Sequence, residues 1–231
     1  MGKIVQFLLI NKKVISFIIL KMKRKQILII GFGGNAIDCF ETIENEFEVI
    51  GFVDDEKDKQ KSEFKGIPVY SRAALNQYKD AKVISLIGSE HTFMKRKGII
   101  SDFKIPPSRF ATIIHPNAVV SKDSVIGYDV IIMAGVVITS NAKIGNHIFI
   151  LPNTVIHHDV KISDYVLIGS NVTIAGHVNI NSNCYIGSGS SIISYAEIGN
   201  SSLIGMSANV IESVPDNSKV VGNPGRVISI D

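Results

Sequence analysis

An isoleucine or valine recurs at every sixth position over the second half of the chain. The series begins at Ile114 and ends at Val210, seventeen positions in succession. The residue four positions later is small or β-branched in nearly every hexad, as at Ala118, Val136 and Cys184. A period of six fits neither the turn of an α-helix nor the alternation of a long strand. It is typical of a solenoid in which each hexad forms one flat face.

Three hexads close one triangular coil of the solenoid. Each inward isoleucine then stacks on the isoleucine one coil further on, ~4.8 Å along the axis. Burying such a side chain contributes ~1.5–3 kcal/mol, so the stacked column forms the core. The sequence therefore predicts a parallel β-helix over residues 111–231, with the segment 220–228 capping its open end.

An α/β pattern precedes the repeats. Apolar runs at 26–30, 48–53 and 82–87 predict buried parallel strands, and the segment 36–46 predicts a helix after the first of them. Residues 26–110 are too few for a complete dinucleotide-binding domain. We predict a Rossmann-like half domain that holds a mononucleotide or a nucleotide-linked sugar rather than NAD.

The loop after the first strand carries the chemistry of this domain. Its sequence, Gly31-Phe32-Gly33-Gly34-Asn35-Ala36, fits G-x-G-x-x-A. Glycines let backbone N–H groups approach a diphosphate at the start of the helix. An acid after the second strand commonly meets a ribose hydroxyl. The predicted substrate-binding residues are Gly33, Gly34, Asn35, Asp54, Asp55 and Gly88. The alternative is that these glycines serve only the turn.

Charge separates an N-terminal extension, residues 1–25, from the rest of the chain. The extension holds seven basic residues and no acid, whereas the remainder carries 17 basic and 21 acidic residues. A mildly acidic body argues against a nucleic-acid partner. The two lysines Lys12 and Lys13 interrupt the apolar stretch and argue against a transmembrane helix.

Three interpretations of this extension stay open. Residues 1–21 precede a start-like Met22 and could come from a start codon assigned too early; they could associate with a membrane surface; or they could pack on the body. The chain contains only two cysteines, Cys39 in the predicted helix and Cys184 in the predicted β-helix interior. Both fit a reducing compartment, and we expect a cytoplasmic protein.

The hexads, the glycine loop, Asp54-Asp55, Gly88, Ile114-His115-Pro116 and Val221-Gly222-Asn223-Pro224 together resemble a known family. From about residue 26 onward the chain is similar to the sugar O-acyltransferases of the sialic acid O-acetyltransferase type. These are hexapeptide-repeat acyltransferases with a left-handed β-helix. The chain looks most like the bacterial N-acetyltransferases for nucleotide-linked 4-amino-4,6-dideoxy sugars, as in bacillosamine or perosamine synthesis.

The resemblance implies a homotrimer with acetyl-CoA bound between adjacent prisms. The family motif Ile-x-His-Glu corresponds to Ile156-His157-His158-Asp159, which makes His158 the base and Asp159 its acidic partner. The family also implies that Leu167, Ser188 and Met206 face the coenzyme. Leu167 replaces a histidine that contacts acetyl-CoA in the amino-sugar enzymes, so His157 or His177 could substitute.

The chemistry follows from the residue types. A sugar amine must lose a proton as it attacks a thioester, and a histidine accepts a proton near neutral pH. A neighbouring carboxylate favours the protonated imidazole. Gly176 comes three hexads after His158, which is one coil further on. We expect its backbone N–H to stabilise the tetrahedral oxyanion.

Three alternatives stay open. The first is a sugar O-acetyltransferase, because amine and hydroxyl acceptors use the same base. The second is a zinc enzyme of the carbonic anhydrase type, which needs three histidines, whereas no histidine lies five residues after His157 or His158. The third is a non-catalytic solenoid, which the mixed outward residues and the separate nucleotide-binding region disfavour. We predict no metal cofactor.

Overall fold

The computed structural model describes residues 24–229. Only the last two residues of the N-terminal extension, 24 and 25, fall within this range. The three interpretations of residues 1–21 therefore concern residues outside it. An α/β domain comes first, and a three-sided parallel β-helix follows it.

The α/β domain is built on one five-stranded sheet. Its strand order is β3-β4-β2-β1-β5, with β3 antiparallel to β4 and the other pairs parallel. The strands are β1 (Gln26–Ile30), β2 (Glu48–Val53), β3 (Glu63–Phe64), β4 (Ile67–Tyr70) and β5 (Lys82–Ser85). The helices are α1 (Gly34–Glu44), α2 (Ala74–Gln77) and α3 (Phe93–Asp102), with 3₁₀ turns at Lys59–Lys61 and Pro107–Arg109.

The sequence predicts β1 and β2 with the observed bounds, but two other elements differ. Helix α1 begins at Gly34 and ends at Glu44, two residues before the predicted bounds at each end. Strand β5 ends at Ser85 rather than at Ile87. The Leu86 N–H still donates to the Ile30 carbonyl of β1 at 2.8 Å. The chain turns away after it, where the Ile87 carbonyl accepts a hydrogen bond from Arg96 Nε at 2.7 Å and Gly88 takes a φ of +141°.

The β-helix has three faces, which we name by what they carry. The domain face consists of β6 (Thr112–Ile114), β9 (Val130–Ile132), β12 (Ile148–Ile150), β15 (Leu167–Ile168), β18 (Tyr185–Ile186), β21 (Leu203–Ile204), β23 (Ser218–Val221) and β24 (Arg226–Ser229). The valine face consists of β7 (Val119–Val120), β10 (Val137–Ile138), β13 (Val155–Ile156), β16 (Thr173–Ile174), β19 (Ser191–Ile192) and β22 (Asn209–Val210). The lysine face consists of β8 (Val125–Ile126), β11 (Lys143–Ile144), β14 (Lys161–Ile162), β17 (Asn179–Ile180) and β20 (Glu197–Ile198).

The predicted coil of three hexads is confirmed by the register of these strands. Ile138 pairs with Ile156, and Ile156 pairs with Ile174, each one coil further on. The inward residues from Ile132 to Val210 are at most 3 % exposed. The first coil differs: Ile114 stacks on Ile132 but is 41 % exposed. Its inner residues have no described coil on their other side, which leaves them partly exposed.

The α/β domain packs against the domain face. The outward side chains Ile131, Phe149 and Leu167 are buried in one cluster with residues of β1 and α1. A polar link reinforces this contact: the Ser85 N–H donates to Asp129 Oδ1 at 2.7 Å, and the Ser85 hydroxyl donates to Oδ2 of the same carboxylate. The two units therefore share a core.

The predicted end of the chain is a hairpin rather than a single strand. Strand β23 continues the domain face in parallel with β21, and β24 returns antiparallel to β23. None of the helices between residues 24 and 229 is long and apolar enough to span a membrane.

Both cysteines are buried and free. Cys184 lies in the β-helix interior and Cys39 in helix α1, as predicted. Burial raises the pKa of the Cys39 thiol to about 12 and that of Cys184 to about 11. Since the thiolate is the reactive form, both thiols should be inert in the native protein.

The inward column makes a direct prediction about stability. We expect Ile150→Ala to lower the free energy of unfolding by ~2–5 kcal/mol, because Ile150 is fully buried and the substitution leaves a cavity. Ile114→Ala is the matched control at the exposed end of the same column, and its loss should be nearer ~1 kcal/mol. Denaturant unfolding measures both, and equal losses would contradict the stacked column as the main source of stability.

Candidate active site

The turn between the valine face and the lysine face carries the predicted catalytic pair. His158 and Asp159 lie between β13 and β14, and the shorter carboxylate of Asp159 still reaches the ring. His158 Nδ1 lies 2.8 Å from Asp159 Oδ2, and the His158 side chain is 55 % exposed. The other ring nitrogen, Nε2, is therefore available to a substrate.

Asp159 is shared by further side chains on the neighbouring coils. Asn141 Nδ2 donates to its Oδ1 at 3.3 Å, and His177 Nε2 lies 3.8 Å from its Oδ2. The hydrogen bond from His158 is the main reason that the pKa of Asp159 lies below its usual value. The carboxylate therefore stays ionised near neutral pH, where it can stabilise a protonated imidazole.

His177, considered from the sequence only as a substitute contact to the coenzyme, lies next to the catalytic pair. Its ring meets His158 edge-on at 5.0 Å and stacks on Tyr195 at 4.6 Å and 8°. The signal is present in the sequence as a column spaced by three hexads, Asn141, Asp159, His177 and Tyr195. The chemistry of that column becomes visible only when the coils are stacked.

Gly176 lies against the ring of His158, as its position one coil further on predicts. A Cβ at this glycine would come within 2.8 Å of His158 Cε1 and Nε2. Among the hydrogen bonds of residues 24–229, the Gly176 N–H donates to no acceptor. The backbone can thus place a free N–H donor next to the base, where a side chain would collide with it.

The same side chains are the candidates for a metal site. In the described part of the chain, the donor atoms of His158, Asp159 and His177 form a group within 4.8 Å of one another. This set has two imidazoles and one carboxylate, whereas the carbonic anhydrase alternative requires three histidines.

The α/β domain holds a separate cavity of about 360 Å³ at the carboxyl ends of its strands. The six predicted substrate-binding residues all line it: Gly33, Gly34, Asn35, Asp54, Asp55 and Gly88. Gly31 supplies the turn, with a φ of +94° and an N–H that donates to the Val53 carbonyl at 2.8 Å. Helix α1 begins at Gly34, so its positive end faces the cavity.

Asp54 has contacts that the sequence does not reveal. Its carboxylate accepts the N–H of Phe32 at 2.9 Å and that of Glu56 at 3.0 Å. Asp55 is paired in turn with Arg72, through two hydrogen bonds of 2.7 Å. The predicted ribose contact of these acids therefore competes with bonds that hold the glycine loop and the wall of the cavity.

A buried arginine that sequence reasoning missed, Arg96, holds the loop of Ile87 and Gly88 that lines this cavity. Arg96 is fully buried, and it donates to the carbonyls of Ile87 and His147. Burial lowers the pKa of its guanidinium to about 10. Asn35 Nδ2 also donates to the Gly88 carbonyl at 2.7 Å. The loop after β5 is thus held between the two domains.

The residues expected at the coenzyme do not meet His158 within one chain. Leu167 lies on the domain face and is only 4 % exposed, in the core between the domains. Ser188 and Met206 lie where the domain face meets the valine face, and Met206 is 72 % exposed. Half a coil separates Leu167 from His158, so the two lie on opposite sides of the prism.

The cavity of the α/β domain and His158 are separated for the same geometric reason. The α/β domain covers the domain face, whereas His158 lies on the edge between the other two faces. In a three-sided prism, that edge is the one that does not border the domain face. One chain therefore presents the two candidate sites on opposite sides.

Comparison with known families matches both parts of the chain. The bacterial transferase hexapeptide family (six repeats) matches residues 141–176, and the C2185-like N-terminal family matches residues 22–109. A search of curated proteins finds no match.

Solved structures match over nearly the whole length. Perosamine N-acetyltransferase from Caulobacter crescentus, in complex with CoA and GDP-perosamine, is 26 % identical, with a TM-score of 0.78 over 89 % of this chain and 97 % of that one. The acetyltransferase domain of PglB from Neisseria gonorrhoeae is 21 % identical, with a TM-score of 0.77 over 89 % of this chain and all of that one. WeeI from Acinetobacter baumannii is 23 % identical, with a TM-score of 0.75 over 88 % of this chain and all of that one. The last two bear on the fold alone.

These findings confirm the predicted class. The chain combines a Rossmann-like half domain with a left-handed parallel β-helix, the fold of the hexapeptide-repeat acyltransferases that it resembles. Among solved structures it is similar to the nucleotide-sugar N-acetyltransferase of Caulobacter crescentus over both domains.

The geometry of the pair predicts the effect of removing it. We expect His158→Ala to lower kcat by ~10²–10⁴, the usual contribution of a general base. The melting temperature should hardly change, because the ring lies outside the packed interior. His157→Ala is the adjacent control and should be milder. A wild-type rate in His158→Ala with a large loss in His157→Ala would move the base by one residue.

Asp159→Asn should give a smaller loss of kcat than His158→Ala, because the base remains. The acid limb of the kcat–pH profile should move to lower pH, since a neutral amide no longer stabilises the protonated ring. An unchanged profile would mean that the 2.8 Å contact has no part in proton transfer.

Proposed function

We propose that the protein transfers the acetyl group of acetyl-CoA to the amino group of a nucleotide-linked 4-amino-4,6-dideoxy sugar, for surface glycan or glycoprotein synthesis. The observation that carries this proposal is the His158–Asp159 pair beside the free N–H of Gly176. The separate nucleotide-type cavity and the likeness to an enzyme solved with CoA and GDP-perosamine support it.

In the proposed reaction the sugar amine attacks the thioester carbonyl as His158 Nε2 accepts its proton. Asp159 stabilises the protonated ring through Nδ1. The Gly176 N–H binds the oxyanion of the tetrahedral intermediate. The carbon–sulfur bond then breaks, and the departing thiolate takes up the proton to give free coenzyme A and the N-acetylated sugar. No metal takes part in this scheme.

The α/β domain binds the nucleotide portion in this proposal. The start of α1 and the glycines that precede it line the 360 Å³ cavity and suit a diphosphate. Asp54 acts mainly by keeping the loop on β2, through its bonds to Phe32 and Glu56. In this scheme Ser188 and Met206 contact acetyl-CoA. Leu167 contacts it through the crevice of about 100 Å³ that this side chain lines.

A homotrimer completes the site. The valine face presents Val119, Val137 and Val155 outward in one column, and Val119 is 63 % exposed. Such a flat apolar surface suits contact with a second copy. When two copies pack along the valine face, the edge that carries His158 in one copy lies towards the neighbouring copy. That neighbour can supply the nucleotide cavity, which in each copy lies on the side of the prism opposite to its own His158.

The test of the reaction is a panel of acceptors. UDP-, GDP- and dTDP-linked 4-amino-4,6-dideoxy sugars and free sialic acid are incubated with acetyl-CoA, and the released thiol is measured with a chromogenic disulfide. The buried Cys39 and Cys184 keep the protein's own signal low. We expect turnover with an amino sugar. Turnover with sialic acid alone would favour the O-acetyltransferase alternative, and no turnover at all would contradict acetyl transfer.

The shared site predicts complementation between two inactive variants. His158→Ala removes the base, and Gly33→Glu puts a negative charge into the nucleotide cavity at a position where a Cβ meets nothing. Refolded together in equal amounts, they should recover roughly a quarter of the wild-type rate, because a quarter of the interfaces combine one intact half from each chain. Mixed oligomers without activity would contradict a site formed between subunits.

A further inference from the structure

A groove of about 560 Å³ runs along the lysine face beside the catalytic pair. Its lining includes two carboxylates, Asp123 and Asp159, together with His177 and with Lys143 and Lys161 on successive coils. Neither the proposed proton transfer nor the nucleotide cavity uses these lysines.

The two lysines are direct neighbours in the sheet. Lys143 pairs with Lys161 in the parallel register of β11 and β14, and both side chains are exposed. Adjacent strands are ~4.8 Å apart, so the lysine side chains leave the same face close together. Like charges directly opposite each other destabilise a sheet. An anion held between the two ammonium groups would remove this repulsion.

No protein carboxylate fills that role in the described part of the chain. The salt bridges within residues 24–229 include neither Lys143 nor Lys161. Asp159, the nearest catalytic acid, is engaged with His158 and Asn141 instead. By contrast, Lys61 and Lys65 of the α/β domain each pair with an acid.

We propose that Lys143 and Lys161 form a binding subsite for the diphosphate of a co-substrate. The inference rests on the proposed function, in which both the nucleotide sugar and acetyl-CoA carry a diphosphate. Ammonium groups bind phosphate oxygens as compact charges, and two of them side by side match the two phosphates.

The distance to the base favours the nucleotide sugar as the source. Lys161 follows His158 closely in the sequence, so their Cα atoms lie at most ~10 Å apart. In a nucleotide sugar a single ring separates the amine from the diphosphate. In acetyl-CoA the whole pantetheine arm separates the thioester from the diphosphate. A sugar whose nucleotide is held by a neighbouring copy would therefore pass its diphosphate over this pair, with the start of helix α1 of that copy on the other side of the same diphosphate.

The experiment compares Lys143→Met and Lys161→Met with wild type. We expect each variant to raise the KM for the nucleotide sugar about tenfold, the usual loss for a bond to a charged group, with the KM for acetyl-CoA unchanged. The difference should shrink as salt is added. Lys143→Arg and Lys161→Arg should restore most of the affinity. Lys79→Met, an exposed lysine of the α/β domain, is the matched control and should behave as wild type.

Calorimetric titration with UDP, GDP, dTDP and coenzyme A measures binding at the subsite independently of acetyl transfer. Weaker binding of a nucleoside diphosphate in both Met variants supports the nucleotide sugar as the source, and weaker binding of coenzyme A alone moves the subsite to acetyl-CoA. Unchanged binding of all four probes, or an equal loss in Lys79→Met, overturns the subsite. A wild-type protein that binds these probes through the lysines without turnover would instead contradict the proposed function. Sedimentation of each variant shows whether the oligomer is intact.

Discussion

Stacking of each inward isoleucine on its equivalent in the next coil is the contact on which the rest of the molecule depends. It holds each coil at the spacing of a parallel sheet, and the inner residues from Ile132 onward are almost completely buried. Because each coil has the same length, residues three hexads apart form columns on the outside as well. The candidate catalytic groups occur in such outer columns, and the core thereby determines their alignment.

The edge of the prism that carries His158 brings together side chains from successive coils. Asn141, Asp159 and His177 come from three successive coils and meet around one carboxylate. Gly176 lies against the same imidazole with its N–H free of partners in the described chain. Rigid stacking supplies positions that a flexible loop would have to maintain at a cost in conformational entropy. The proposed base and the proposed oxyanion donor are therefore arranged before any substrate arrives.

The α/β domain is tied to the prism by a shared core and by buried polar groups. Asp129 binds Ser85 and lies 2.6 Å from His147 Nδ1, while Arg96 links the carbonyls of Ile87 and His147. These contacts hold the nucleotide cavity on the domain face. They also keep it away from the His158 of the same chain, which is the physical basis for proposing a site shared between copies.

Much of the architecture of this protein follows from the sequence alone, because the contacts of the β-helix repeat every three hexads and the sequence shows the same hexad period. The hexads predict the prism and its inward column, and the G-x-G-x-x-A loop predicts the cavity that its glycines line. The motif around His158 predicts the base and its partner, and the coil of three hexads predicts the position of Gly176. Only the tertiary structure decided contacts between segments without a common period. Asp54 binds its own loop, Arg96 is buried between the domains, and Leu167 lies in the core between them. The exposure of Ile114 was likewise decided by the end of the stack, since an inner residue is buried only when a coil covers each side of it.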